Sequence, residues 1–179
     1  MDYLEEEIKK KLKYNLQEQE IIKKMNIKPE IFLPLIFSLK FGGNWSYKTE
    51  KDNVRLMAIK DKVTKYDPQE KVGYTMETIY LFSNPVVIRE EGGVLRLEKC
   101  SEKQEREIVE RPYIVEVDAD DIIKAVLHPG KLKIKVEHIT GSLTLEGSLA
   151  YGVSHEMDHL MGQDEEHPKF LWDFNYELL

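Results

Sequence analysis

The chain has 179 residues, 41% hydrophobic and 33% charged, which is enough for one domain with a packed core and is an ordinary soluble composition. Its 26 Lys and Arg against 33 Asp and Glu leave a formal charge of −7, which argues against a broad phosphate-binding surface, so nucleic acid is not an expected partner. No run of about 18 apolar residues offers a membrane span, the charged start MDYLEEEIKKKLKYN lacks a signal peptide's apolar region, and the single cysteine, Cys100, permits no internal disulfide; a cytoplasmic protein is expected.

In chain order, Leu4, Ile8, Leu12, Leu16, Ile21, Ile22 and Met25 recur at near-helical spacing and predict a helix over residues 3–25, its apolar face packed on the body of the protein. IFLPLIFSLKF predicts a second, buried helix starting near Pro34, because proline is tolerated in a first helical turn, and Gly42-Gly43-Asn44 ends it. Runs rich in β-branched residues then predict strands: VRLMAI (54–59), ETIYLF (77–82), RPYIVEV (111–117), DIIKAVL (121–127) and KLKIKVEHI (131–139). Turn residues separate them at Tyr66-Asp67-Pro68, Gly92-Gly93 and His128-Pro129-Gly130, and the last joins a hairpin with one wet face.

A final helix is expected from about Leu145 to Met161, with Leu145, Leu149, Val153 and Leu160 as its apolar stripe. Gly152 inside it costs helix stability, and close approach by another strand is one reason to have it. This helix carries VSHEMDHLMG. Histidines four apart stack on one helical face, so His155 and His159 can reach one metal ion while Glu156 borders the open coordination position. The same three residues also fit the solvated face of a charged helix, and Cys100 alone fits a small buried hydrophobe.

The surrounding text decides between these. HEMDHLMG resembles the third motif of the peptide deformylases, HExDHLxG. Upstream, Leu97-Glu98-Lys99-Cys100-Ser101 resembles their Glu-Gly-Cys-Leu-Ser segment, with Lys99 in place of Gly and the Leu missing, and Arg111 resembles the arginine that pairs with that motif's glutamate. Phe82-Ser83-Asn84-Pro85-Val86-Val87 is similar to the family's Asn-Pro strand. The first motif, Gly-x-Gly-Leu-Ala-Ala-x-Gln, aligns with GGNWSYKT: Gly42 keeps its place, Asn44 replaces the second Gly, and Thr49 stands where Gln should be. The resemblance covers roughly residues 35–162.

The resemblance implies an α+β fold, antiparallel β-sheets packed around a central HExxH-bearing helix with N-terminal helices outside. A single metallohydrolase domain over 1–179 then divides into a helical region (1–40), a deformylase-like core (41–162) and a short tail (163–179). It also implies one divalent ion, Fe2+ or alternatively Zn2+, held by Cys100, His155 and His159, with a metal-bound hydroxide attacking a formyl carbon and Glu156 as general base. The oxyanion would be met by the Ser101 N–H and by Thr49 in place of the Gln side chain. Trp45 and Tyr47, replacing small residues, would reshape the pocket beside the metal. The implied partner is a formylated peptide or nascent-chain N-terminus, with no membrane and, given the short acidic tail, no docking on the ribosome through a C-terminal helix.

Three other readings stay open: a relative acting on another N-acyl group, a non-catalytic metal-binding module, and a metzincin-like protease. The last places Glu165 at the third-ligand position with His167 two beyond, and no methionine follows Met161 to make its turn.

Overall fold

A computed structural model describes residues 13–49, 52–99, 104–162, 169–170 and 177. Its first helix, α1 (Leu16–Met25), starts where it does because Asn15 caps it: the Asn15 side chain accepts from the Glu18 N–H, and the Glu18 carboxylate accepts from the Asn15 N–H, both at 2.8 Å. The expected helix over 3–25 is therefore shorter within the described residues, its portion over 1–12 lying outside them. Leu16, expected on the packed face, is 78% exposed, whereas Ile22 and Met25 are buried.

A 3-10 turn (Pro29–Phe32) leads into α2 (Leu33–Phe41), with Pro34 in its first turn as expected and Gly42 and Gly43, both at positive φ, ending it. Phe32, Leu35, Ile36 and Phe37 are all but fully buried, as befits a helix that is apolar on nearly every side.

Eleven strands follow among the described residues: β1 (Trp45–Lys48), β2 (Arg55–Asp67), β3 (Val72–Ser83), β4 (Val86–Glu91), β5 (Val94–Glu98), β6 (Glu107–Arg111), β7 (Ile114–Asp118), β8 (Asp121–His128), β9 (Lys133–Ile139), β10 (Leu143–Glu146) and β11 (Lys169–Phe170). All pair antiparallel, in a five-stranded sheet β1-β2-β3-β8-β9 and two three-stranded sheets, β10-β7-β4 and β11-β6-β5. Between β10 and β11 lies α3 (Ser148–Met161). The molecule is thus α+β with antiparallel sheets, and among the described residues no helix is long and apolar enough to cross a membrane.

The large sheet is covered on both faces, which explains the dense apolar runs of its central strands. Ala58, Ile79, Leu81, Ile123 and Ala125 face one way, into a core closed by Ile22, Met25, Phe32, Leu35 and Ile36 of the N-terminal helical region. Their neighbours Met57, Ile59, Phe82 and Ile122 face the other way, into a core shared with Val115, Val117, Leu145, Ala150 and Val153. Each strand's alternation feeds two different cores. Burying a Leu, Ile or Phe side chain in them contributes about 1.5–3 kcal/mol.

Two expected elements divide differently. RPYIVEV is not one strand: Pro112 has no N–H for a ladder, and the chain passes there from β6 in one small sheet to β7 in the other. Leu145 does not open the last helix. It lies in β10, opposite Val115, and Gly147 at φ 58 turns the chain so that α3 begins at Ser148.

Gly152 is the position where the helix meets a strand. A Cβ built there would stand 2.5 Å from Asn44 Nδ2 and 3.5 Å from Ile59 Cγ2, and Asn44 Oδ1 is already committed, accepting from the Lys60 N–H at 2.8 Å. Gly152→Ala gains helix propensity of up to about 1 kcal/mol but overpacks this contact, a loss of about 1–3 kcal/mol. The expected net result is a lower midpoint in urea denaturation with an unchanged slope.

Candidate metal centre

Helix α3 ends at Gly162, in the left-handed conformation, and its last two turns carry the titratable groups. The i, i+4 spacing brings the rings of His155 and His159 to 4.8 Å between centroids, nearly perpendicular, with their Nε2 atoms 3.1 Å apart. On its other side the His155 ring meets the β5 strand, Nδ1 lying 3.2 Å from Glu98 Oε2. A ring whose Nδ1–H donates to a carboxylate presents the Nε2 lone pair, and that lone pair is directed at His159.

Glu98 is held by more than the histidine. Arg111, from β6, donates to its Oε2 from Nε at 3.2 Å and from Nη2 at 2.9 Å, while Arg96 donates from Nε to Oε1 at 3.3 Å. The other arm of Arg111 reaches α3, where Nη1 donates to Asp158 Oδ2 and to Ser154 Oγ. One guanidinium thereby ties the strand that precedes Cys100 to the helix that carries both histidines. Burial disfavours the Glu98 carboxylate, but the hydrogen bonds from His155 and Arg111, with their charges, outweigh it and hold its pKa down to about 2. The bond to Glu98 raises the His155 pKa above the ordinary imidazole value against the opposing effect of burial, and the charges of Glu156 and Glu98 add to the rise.

These residues fit a metal. Two imidazole nitrogens bound to one tetrahedral ion at 2.0–2.1 Å stand about 3.3 Å apart, close to the separation seen here, and a carboxylate on the far ring nitrogen is the usual support for a ligating histidine. Among the described residues no group of three His, Cys, Asp or Glu that could hold an ion is present, so an ion held by the two histidines would take any third protein donor from outside those residues. Cys100, the expected third ligand, lies outside the described residues, as does Ser101; both follow closely on Glu98, which the network anchors. Glu165 and His167 lie outside them too.

Glu156 is 7% exposed and points into the molecule, on the same face of α3 as Gly152. Thr49 sits in the turn after β1, where its N–H donates to the Val54 carbonyl and its Oγ1 accepts from the Val54 N–H, both at 2.9 Å. The expectation that Trp45 and Tyr47 shape the pocket beside the histidines is overturned by the strand's parity. Trp45 packs its ring on Phe37 and Phe41 of α2, at 5.2 and 6.3 Å between centroids, on the sheet face away from α3, and Tyr47 shares that parity.

Sequence reasoning used Asp158 only as a mark of the motif and missed Ser154; their four-residue spacing, one turn apart on the face toward β6, was the available signal. It missed Arg96 as well, which lies 4.0 Å over the Tyr151 ring and braces the same strand. No family model, curated protein or solved structure matches the chain.

The depressed pKa of Glu98 makes stability depend on pH in a definite sense. Its contribution is complete above the unfolded carboxyl value of about 4.3 and is lost as pH falls from there toward about 2. In chelator-treated protein, stability from denaturant titrations should drop over that window. Glu98→Gln should flatten the drop and lower stability at pH 7 by on the order of 2 kcal/mol, since Arg111 loses a buried partner.

Proposed function

We propose that this chain is a metal-dependent hydrolase that removes the N-formyl group from formyl-methionyl peptides, as the peptide deformylases do. The reading is carried by one observation: the Nε2 atoms of His155 and His159 face each other at 3.1 Å while Nδ1 of His155 rests on Glu98. The Arg111 link from Glu98 to Asp158 supports it, because it binds together the two segments in which the sequence resembles that family. His155, His159 and Cys100 would hold the ion, ferrous iron or alternatively zinc, in a deformylase-like arrangement around α3.

When bound, the ion supplies a Lewis acid that polarises the formyl oxygen and makes water acidic. The remaining work belongs to the chain. Glu98 fixes the tautomer of His155 and keeps its Nε2 lone pair available. Glu156 takes a proton from the attacking water and delivers it to the leaving nitrogen, so formate and a free amine result. Its burial beside the histidines keeps bulk water from competing for that proton.

The test is formate release from a formyl-methionyl peptide by protein purified without oxygen and loaded with ferrous iron. The parent should release formate, Glu156→Gln should retain metal and lose at least about 10²-fold in kcat, and His159→Ala and Cys100→Ala should lose the metal itself. A metal-loaded parent that releases none, or a Glu156→Gln variant as fast as the parent, overturns the assignment.

A further inference from the structure

Hydrolysis of an amide needs a donor for the oxyanion that forms on the acyl oxygen; the hydroxyl of Thr49, the expected side-chain donor, keeps its O–H free among the described residues but is held beside Val54 in the turn after β1, where its oxygen accepts from the Val54 N–H. The geometry of β1 points to a different residue. Trp45 faces α2, so Asn44, Ser46 and Lys48 face the opposite side of the sheet, toward α3. Asn44 meets that helix at Gly152. At the other end Arg55, the register partner of Lys48, donates from Nη1 to Met161 Sδ at 2.9 Å.

The two elements therefore run side by side in the same direction, and their lengths agree. From Gly152 to Met161 the helix rises about 13.5 Å at 1.5 Å per residue. From Asn44 to Lys48 the strand rises about 13 Å at 3.3–3.4 Å per residue. Ser46, at the middle of the strand, comes level with Glu156 and Met157, and of these Glu156 lies one turn above Gly152 on the face that meets β1. Ser46 is half-buried, and among the described residues no hydrogen bond engages either its hydroxyl or the Glu156 carboxylate.

We propose that Ser46 is the side-chain donor of this site, its Oγ–H hydrogen-bonded to the acyl oxygen of the substrate across from Glu156. The proposal rests on the hydrolase reading above. As the water oxygen bonds to the acyl carbon, its proton passes to Glu156 and the carbonyl π electrons move onto the acyl oxygen, where Ser46 donates. When the C–N bond breaks, that electron pair re-forms the carbonyl and the proton on Glu156 goes to the departing nitrogen.

The experiment compares the metal-loaded parent with Ser46→Ala by two readouts, kcat and KM for a formyl-methionyl peptide and the Kd of a peptidyl hydroxamate, whose carbonyl oxygen occupies the place of the oxyanion. Ser46→Ala should lose about 10²-fold in kcat with KM little changed, and weaken hydroxamate binding about tenfold or more, at unchanged metal content and denaturation midpoint. A variant with the parent's kcat and Kd overturns the role of Ser46 and leaves the hydrolase standing. A parent that binds the hydroxamate, loses that binding in Ser46→Ala and releases no formate keeps Ser46 and removes the formyl substrate. A metal-loaded parent that neither turns over nor binds the hydroxamate overturns both.

Discussion

Arg111 is the residue on which the site depends. It is buried, and its guanidinium is shared between Glu98 on β5 and Ser154 and Asp158 on α3. Taking three charges out of water costs several kcal/mol per ion, and the mutual attraction returns that only where geometry is good and the lone pairs are filled. Here they are filled: Glu98 accepts from two arginines and the His155 ring. A lysine could not do this, because the task needs a planar fork with donors on two sides. The network is therefore better understood as a device of registration than of stability, fixing which turn of α3 stands against which residue of β5.

That registration is what makes the histidine pair usable. Without a partner at Nδ1 the His155 ring is free to choose either tautomer, and its Nε2 lone pair would be available only part of the time. With Glu98 in place the ring is oriented and the lone pair faces His159. The short approach of two ring nitrogens is tolerable because one can donate to the other. The same spacing would also suit two ligands on one small ion. The Arg111–Glu98 network and the histidine pair are consequently coupled through a single imidazole.

Much of the fold was legible in the sequence because the central strands are buried twice. Residues such as Leu81 and Phe82 point into different cores, so the run reads as continuously apolar and is hard to mistake. What was not legible lies where chain direction changes for reasons of pairing rather than composition. The Pro112 break sends β6 and β7 into separate sheets, and the Gly147 turn gives Leu145 to a strand, though its side chain is buried just as the helical stripe required. The histidine pair was readable from its spacing on a helix, and the pairing of Glu98 with Arg111 from what the family resemblance implies. The Arg111 contact to Ser154 and Asp158 was less legible: their four-residue spacing shows that they share a helical face, but only the packing of α3 on β6 shows what that face meets.

Along β1 the parity of the strand decides which side chains face α3. Counting residues put Trp45 and Tyr47 beside the histidines, yet side chains on a strand alternate, and one residue of parity decides which face each serves. The ring contacts of Trp45 with Phe37 and Phe41 fix that parity from one side, and the approach of Asn44 to Gly152 fixes it from the other. The anchors are a tryptophan large enough to reach α2 and a glycine in α3 small enough to admit an asparagine. With the strand so pinned, the face toward Glu156 is lined by small polar Ser46, and the Trp45 ring that would have narrowed it is spent on α2 instead. The width and polarity of the wall facing Glu156 thus follow from how β1 is held between α2 and α3, two contacts removed from the histidines.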